Sequence, residues 1–379
     1  MGIGHRSFVW VVCVVAARIG AAASPAAGAV SLTALGDLPG NDFYSVASAI
    51  SDDGSVVVGH SKSTSGLQAF RWTAGGMVGL ADLPGGSFSS NGYGVNSDGS
   101  VIVGLSNSAS GNEAYRWTAA TGMIGLGDLA GGSFGSGATA VSNNGSVVVG
   151  GGNPAAGVEA FRWTAADGMV GLGDLPGGIV ESGANGVSGN GSVIVGRGHS
   201  ASGLEGFRWT ADGMIGLGDL PGGTFFSEAN EISDDGSVIV GTSNSASGTE
   251  AFRWTAAGGM LGLGDLPGGS FASYAYGVSG DGSVIVGEGF SAFGTQAFRW
   301  TAAGGMQRLW DVLLANGIDP AASGWSTLDQ STGISADGSA IVGFGMRNGN
   351  REGFLAVVPE PGSLLLTTLA SAAALRRRR

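Results

Sequence analysis

The chain has 379 residues, 75 of them glycine, with 43% apolar residues, one cysteine and a formal net charge of −12. Glycine at this level without a Gly-X-Y period excludes collagen, and the apolar share excludes a disordered chain. With the terminal basic residues (Arg6, Arg18, Arg376 to Arg379) and Glu360 set aside, the body holds 11 basic residues against 28 acidic ones, which disfavours nucleic acid as a partner and favours a soluble monomer.

Residues 1–29 read as a secretory signal. His5 and Arg6 form a short basic region, an apolar stretch runs from Phe8 to Ala23 with Arg18 inside it, and "AAAS" and "AGAV" offer small-residue cleavage sites. Cys13 lies in that stretch behind Val12, where a lipoprotein signal wants a small residue. The exported chain then has no disulfide, so packing alone must hold it.

Next comes "SLTALGDL" (Ser31 to Leu38), a short strand that reappears later as "MLGLGDL", with Leu35, Gly36 and Asp37 aligned to Leu263, Gly264 and Asp265. From there the chain repeats. "RW" falls at Arg71, Arg116, Arg162, Arg208, Arg253 and Arg299, a spacing of 45 or 46 residues, and "EGFLAV" at Glu352 is a degenerate seventh copy. One unit reads "YAYGVS" (strand A), an Asp-Gly turn at Asp281-Gly282, "SVIVG" (B), a "SASG" loop, "EAFRWT" (C), a Gly-rich turn and "MLGLGD" (D), with "LPGGSF" leading to the next A.

Four short antiparallel strands in about 46 residues make one propeller blade; a parallel β-helix has shorter coils and needs no hairpin turns. Strand B is apolar on both faces, as a strand covered on either side must be. Strand A is small, as crowding near an axis requires. Strands A, B and C occur seven times, but D follows only six of them, at Met77, Met123, Met169, Met214, Met260 and Met306. The missing D stands at the N-terminus. The expected fold is therefore all-β: a seven-bladed propeller of four-stranded antiparallel blades over residues 30–358, closed by the N-terminal strand completing the last blade.

The repeated residues each admit two readings. The strand C arginines either ring a ligand or pair structurally with the Asp of "GDL" or a nearby Glu. The "SDDGSV" turns suggest calcium, yet two copies, "SNNGSV" and "SGNGSV", lack a carboxylate, and hairpin chemistry explains Asn-Gly and Asp-Gly equally well. The sialidase Asp-box separates its Asp from its Gly, whereas here they adjoin. No nucleophile, metal set or cofactor motif stands out, and His60 and His199 follow strand B at non-equivalent places.

Variation concentrates where the B–C and D–A connections emerge. Tyr44, Phe226 and Trp325 stand in D–A segments, and His60, His199 and Phe290 in B–C segments. Exposed rings stack on pyranose faces while short polar chains catch hydroxyls, so these six residues mark a candidate sugar-binding face. The recurring Phe of "GGSF" also fits a plug between blades. Trp325 sits outside the repeat, in "LLANGIDPAASGWSTL", and leads the candidate list.

The tail "VPEPGSLLLTTLASAAALRRRR" joins Pro359, Glu360 and Pro361 to an apolar run (Leu364 to Leu375) and to Arg376, Arg377, Arg378 and Arg379. It resembles the PEP-CTERM sorting signal of exopolysaccharide-producing bacteria over residues 359–379. The resemblance implies processing by an exosortase, transient inner-membrane association through the apolar segment, and release to the cell surface or outside. The body, through "QAFRWT", "EAFRWT", "GLGDLPGG" and "DGSVIVG", resembles the HAF-repeat family of bacterial extracellular proteins, with Glu or Gln in place of the His of the family name. That family implies no established reaction. The expectation is an exported, non-catalytic scaffold that binds extracellular polysaccharide; the alternative is a polysaccharide-acting hydrolase or lyase with its site on the variable face.

Overall fold

The computed structural model describes residues 29–40 and 42–358. Apart from Ala29, the secretory signal expected over 1–29 lies outside the described residues, as does the tail expected over 359–379.

The Asp-Gly hairpins form as the turn chemistry dictates. In the sixth repeat, Gly268–Val278 and Val284–Ser291 pair antiparallel around Gly282, whose φ of +71° suits glycine. The Asp281 carboxylate accepts the Ser279 hydroxyl at 2.8 Å and the Ser283 N–H at 2.9 Å. Asn144 and Asn190 make the same bonds at 2.9–3.0 Å, so a side-chain oxygen builds this turn whether or not it carries charge. The hairpin thus forms alike in the Asp and the Asn copies.

Among the described residues, 28 strands form seven four-stranded antiparallel units in the order A-B-C-D. Single parallel bridges, Leu67 to Ser89 and Thr249 to Ala272, join units 1 and 2 and units 5 and 6. Units 1 to 6 run consecutively from Ser45 to Arg308. Unit 7 contains Trp325–Ile334, Ala340–Arg347 and Asn350–Val357, and its fourth strand is Ser31–Ala34, paired Leu32 to Ala356 and Ala34 to Phe354. In units 2, 4, 5 and 6 strand A begins inside "PGG" rather than after it, at Gly85, Gly177, Gly222 and Gly268. The register skips between that Gly and the next paired serine, which lets the linker join the sheet edge.

The core lies between units. Each of seven buried clusters takes alternate strand B residues and the D-exit leucines from one unit, and strands A, B and the strand C aromatic from the next. Val193, Val195, Leu217 and Leu220 of unit 4 meet Ala229, Ile239 and Phe252 of unit 5, for example. Leu35, Ala340, Val342 and Leu355 of unit 7 meet Ala47, Val57 and Phe70 of unit 1 in the same arrangement. The strand C aromatics are fully buried, so truncating one to Ala should cost about 3–5 kcal/mol.

Polar residues of the motif tie the same boundaries. The strand A serine of one unit donates to the D-exit carbonyl of the preceding unit, as Ser136 does to Gly127 O and Ser182 to Gly173 O at 2.7 Å, while accepting a strand C N–H. Ser45 repeats this between units 7 and 1, with Gly36 O at 2.6 Å and Gly353 N at 3.1 Å. The Glu of "EAFRWT" accepts the N–H of the D-exit glycine: Glu159 from Gly173 at 2.8 Å, Glu250 from Gly264 at 2.9 Å, Glu352 from Gly36 at 3.0 Å. The Asp of "GDL" is likewise occupied, accepting backbone N–H groups of the D–A linker at Gly135, Glu181 and Ala272. Arg71 and Arg116 instead reach the turn carbonyls of Gly99 and Gly145 in the following unit, at 3.4 Å. Their partner is a carbonyl of the next unit rather than the Asp or Glu that the structural reading expected.

The D-exit position needs a positive φ: Gly127, Gly173, Gly218 and Gly264 adopt +76° to +79°, and Ala81 stands at +66° in unit 1. A Cβ there is strained. Ala81→Gly should stabilise the protein by about 1 kcal/mol and raise its melting temperature; a drop would show that the methyl contributes packing that outweighs the strain.

Candidate functional site

Every strand A carries a one-residue bulge. The register jumps across Ser48, Tyr93, Thr139, Asn185, Asn230, Tyr276 and Thr332. These seven residues line one cavity of about 480 Å³, to which the A strands of all seven units contribute. A bulge re-aims its side chain, so residues that strict alternation would bury reach this space. Four of them also bond the next unit: Thr139 to Ala184 O, Asn185 to Ala229 O, Asn230 to Ala275 O and Thr332 to Ala47 O, at 2.8–2.9 Å.

The cavity is acidic. Glu231 stands where other units have Ala or Gly (Ala49, Gly94, Ala140, Gly186, Gly277, Gly333), and a Cβ on Gly186 would meet its carboxylate. Burial pushes its carboxyl up to about 8, against the N–H of Ile232 and with help from the charge of Asp234. Burial, then Asp234 and Asp53, raise Asp52 to about 6. Among the described residues no group of three or more His, Cys, Asp or Glu is placed to hold a metal ion.

A second cavity, of about 460 Å³, opens between units 5 and 6 and shares Asn230 and Tyr276 with the first. Its walls carry Phe226, Tyr274 and Tyr276; the tyrosine rings are parallel within 5°, with centroids 6.4 Å apart. Beside them stand Glu228, Thr242, Asn244 and Thr249. Thr242 is 5% exposed, and its hydroxyl has no hydrogen-bond partner among the described residues. Tyr276 donates to Glu288 at 2.9 Å, while Glu228 accepts from Arg197 at 3.0 Å and Asn185 at 3.2 Å.

The six face residues expected from sequence separate. Trp325 is the clearest correction: it is 2% exposed and meets Phe354 edge-on, with ring centroids 5.9 Å apart at 90°. The insertion before it forms a helix, Leu309–Ala315, whose Leu309 and Leu313 pack on Trp325 in one cluster. Size outside a repeat signalled a core plug, not a surface platform. Tyr44, just before strand A of unit 1, and His60, on its strand B, do meet, with ring centroids 6.0 Å apart, and burial followed by the charge of Arg351 lowers His60 to about 4. His199 sits 3.7 Å from Glu181, and Phe290 is half-buried on strand B of unit 6. Phe226 alone of the six lines the unit 5–6 cleft. The "GGSF" phenylalanines pack over B–C hairpin glycines of the preceding unit, Phe88 on Gly66 and Phe271 on Gly248, as plugs do.

Sequence reasoning missed Tyr274, Tyr276, Asn230 and Thr242 because they stand within strands rather than loops. A signal existed: strands A and B vary in chemistry from unit to unit at these positions, in a chain that otherwise repeats.

No family model matches the chain, and no curated protein matches it. Among solved structures, it is similar to an oligogalacturonate lyase in complex with manganese, at 12% identity over 88% of this chain and 97% of that one, with a TM-score of 0.52. It is also similar to an oligogalacturonate lyase from Vibrio parahaemolyticus (10% identity, 88% and 98% coverage, TM-score 0.51). A third is the β-propeller domain of Cps50 (Swd1) from Myceliophteria thermophila (9% identity, 84% and 98% coverage, TM-score 0.47). At these identities the likeness is one of fold, and the chain itself is all-β, built of four-stranded antiparallel sheets.

Glu231 gives the cavity a pH signature. Its folded value lies above its ordinary 4.5, so the folded state holds the proton more tightly, and stability falls as pH rises from 4.5 through about 8. Above about pH 7, where Asp52, raised to about 6, has largely ionised, the melting temperature of the parent should decline with pH while that of Glu231→Gln stays nearly level. Parallel curves would assign the decline to another group.

Proposed function

We propose that the chain is an exported, closed seven-bladed β-propeller that binds extracellular polysaccharide, as a surface or matrix scaffold without catalytic activity of its own. Closure is supported by the unit 7–unit 1 boundary, which repeats the cluster, the serine relay and the bulge bond of the other boundaries. Deleting residues 30–38 should then lower the melting temperature steeply and cause aggregation through the bared edge of Asn350–Val357; unchanged melting would sink the ring.

Binding rests on one observation: the unit 5–6 cleft sets three aromatic rings beside amide, carboxylate and hydroxyl groups, one hydroxyl being buried without a partner. A sugar meets both needs, with C–H faces for the rings and hydroxyls for the polar atoms. The cleft lies toward the face of the B–C and D–A connections. A glycan array with the purified protein, followed by product analysis on each bound glycan, tests this reading, which predicts binding without cleavage.

A polysaccharide-acting hydrolase or lyase is the second reading. It is favoured by two carboxyl groups that line one cavity, Asp52 and Glu231, both raised above the ordinary range by burial, as a general acid needs. Shortened or unsaturated products in the same assay would select it.

Sorting by an exosortase rests on the resemblance of residues 359–379. Replacing Pro359 and Pro361 by Ala should leave unprocessed protein in the inner membrane of an exosortase-bearing host. Normal release to the medium would refute it.

A further inference from the structure

The charges around the unit 5–6 cleft are arranged asymmetrically. Its lining holds no lysine, arginine or histidine among the described residues, and its one charged lining residue is Glu228. The cation nearest in the bonding pattern, Arg197, is already committed to that carboxylate at 3.0 Å. On the neighbouring strand Glu288 takes the Tyr276 hydroxyl, and Asp329 lies close enough to act on Glu288 electrostatically. A second anion entering here would lose hydration beside carboxylates with no counter-ion to receive it.

The remaining groups suit an uncharged guest. The Tyr274 and Tyr276 rings lie parallel with centroids 6.4 Å apart, and one such ring matches the C–H face of a pyranose in size. The Thr242 hydroxyl can donate and accept at once, and is buried in the wall with neither bond made. Glu228 accepts both of its observed bonds through Oε1, leaving Oε2 to accept from a sugar hydroxyl. Asn244 is held in place by Thr224 at 2.9 Å and by Thr249 at 3.3 Å, so its amide is set before a ligand arrives.

We propose that this cleft binds a neutral hexopyranose segment and rejects uronate residues, with Tyr274 as the stacking platform, Thr242 as a hydroxyl partner and Glu228 as both acceptor and filter. The proposal rests on the glycan-binding reading above and adds the sugar class and the discriminating residue. Rejection is built from like charge rather than shape, and so can be weakened by one isosteric change at the lining carboxylate.

The test is titration calorimetry of the intact protein against neutral oligosaccharides (gluco-, manno- and xylo-configured) and oligogalacturonate of the same length, at low salt. At least one neutral oligosaccharide should bind. Tyr274→Ala and Thr242→Val should each weaken it about tenfold or more, Tyr274→Phe should retain most affinity, and Glu228→Gln should bring oligogalacturonate binding up relative to the parent. Melting curves of each variant separate lost binding from lost fold, and Thr242→Val and Tyr274→Phe keep the side-chain volume should Tyr274→Ala unfold. Oligogalacturonate binding as tight as the neutral sugars and sensitive to Tyr274→Ala overturns the charge filter but keeps the glycan reading. Neutral binding indifferent to both Tyr274→Ala and Thr242→Val overturns this cleft as the site. No glycan bound at all overturns the glycan reading, and the inference with it.

Discussion

Everything in this molecule depends on the fact that one four-stranded unit cannot bury its own apolar faces. Strand B is apolar on both sides, so each sheet must be covered twice, and the only cover of matching chemistry is another copy of itself. The seven clusters are therefore contacts between copies rather than cores of copies. That constraint explains why the motif residues recur so faithfully. The strand A serine, the strand C glutamate and the "GDL" aspartate each answer a backbone group left without a sheet partner where one unit hands the chain to the next.

It also explains where variation is tolerated. Positions that face a neighbouring unit are held to aliphatic or aromatic residues, and positions aimed into an open cavity are released. The bulge residues show both regimes: Thr139, Asn185, Asn230 and Thr332 are bound to the next unit, while Tyr276 reaches Glu288. Glu231 is the sharpest departure, a carboxyl placed among alanines and glycines and raised by burial to about 8. Such a group costs stability when it ionises, which sets it apart from the aspartates of the hairpin turns. Serine hydroxyls and N–H groups hold Asp98 and Asp235 below the ordinary range.

Much of the fold was legible in the sequence because its signals are periodic. The Asp-Gly turns, the 45 or 46 residue spacing and the match of Leu35-Gly36-Asp37 to Leu263-Gly264-Asp265 locate every unit and pair the first strand with the last. The site was less legible, for reasons that are local. A bulge adds one residue to an alternating pattern, so the side on which Tyr276 or Asn230 emerges cannot be counted from its neighbours. Trp325 misled because the sequence shows its size but not its surroundings, although Leu309 and Leu313, one helical turn apart, were a sign of an apolar cap. The partners of Arg71 and Arg116 were hidden because a carbonyl oxygen belongs to every residue and leaves no mark in the sequence.

The borrowed fourth strand of unit 7 has a consequence for how the protein comes into being. Its bonds, such as Gly36 to Glu352, join residues 316 positions apart, so they cannot form until nearly the whole chain has been made. Units 1 to 6 can add to one another in order as they emerge, each supplying the cover its predecessor lacks, while Leu35 and Leu38 wait for Leu355 to arrive. The last contact is thus a clasp, and until it fastens both ends of the array present open sheet edges.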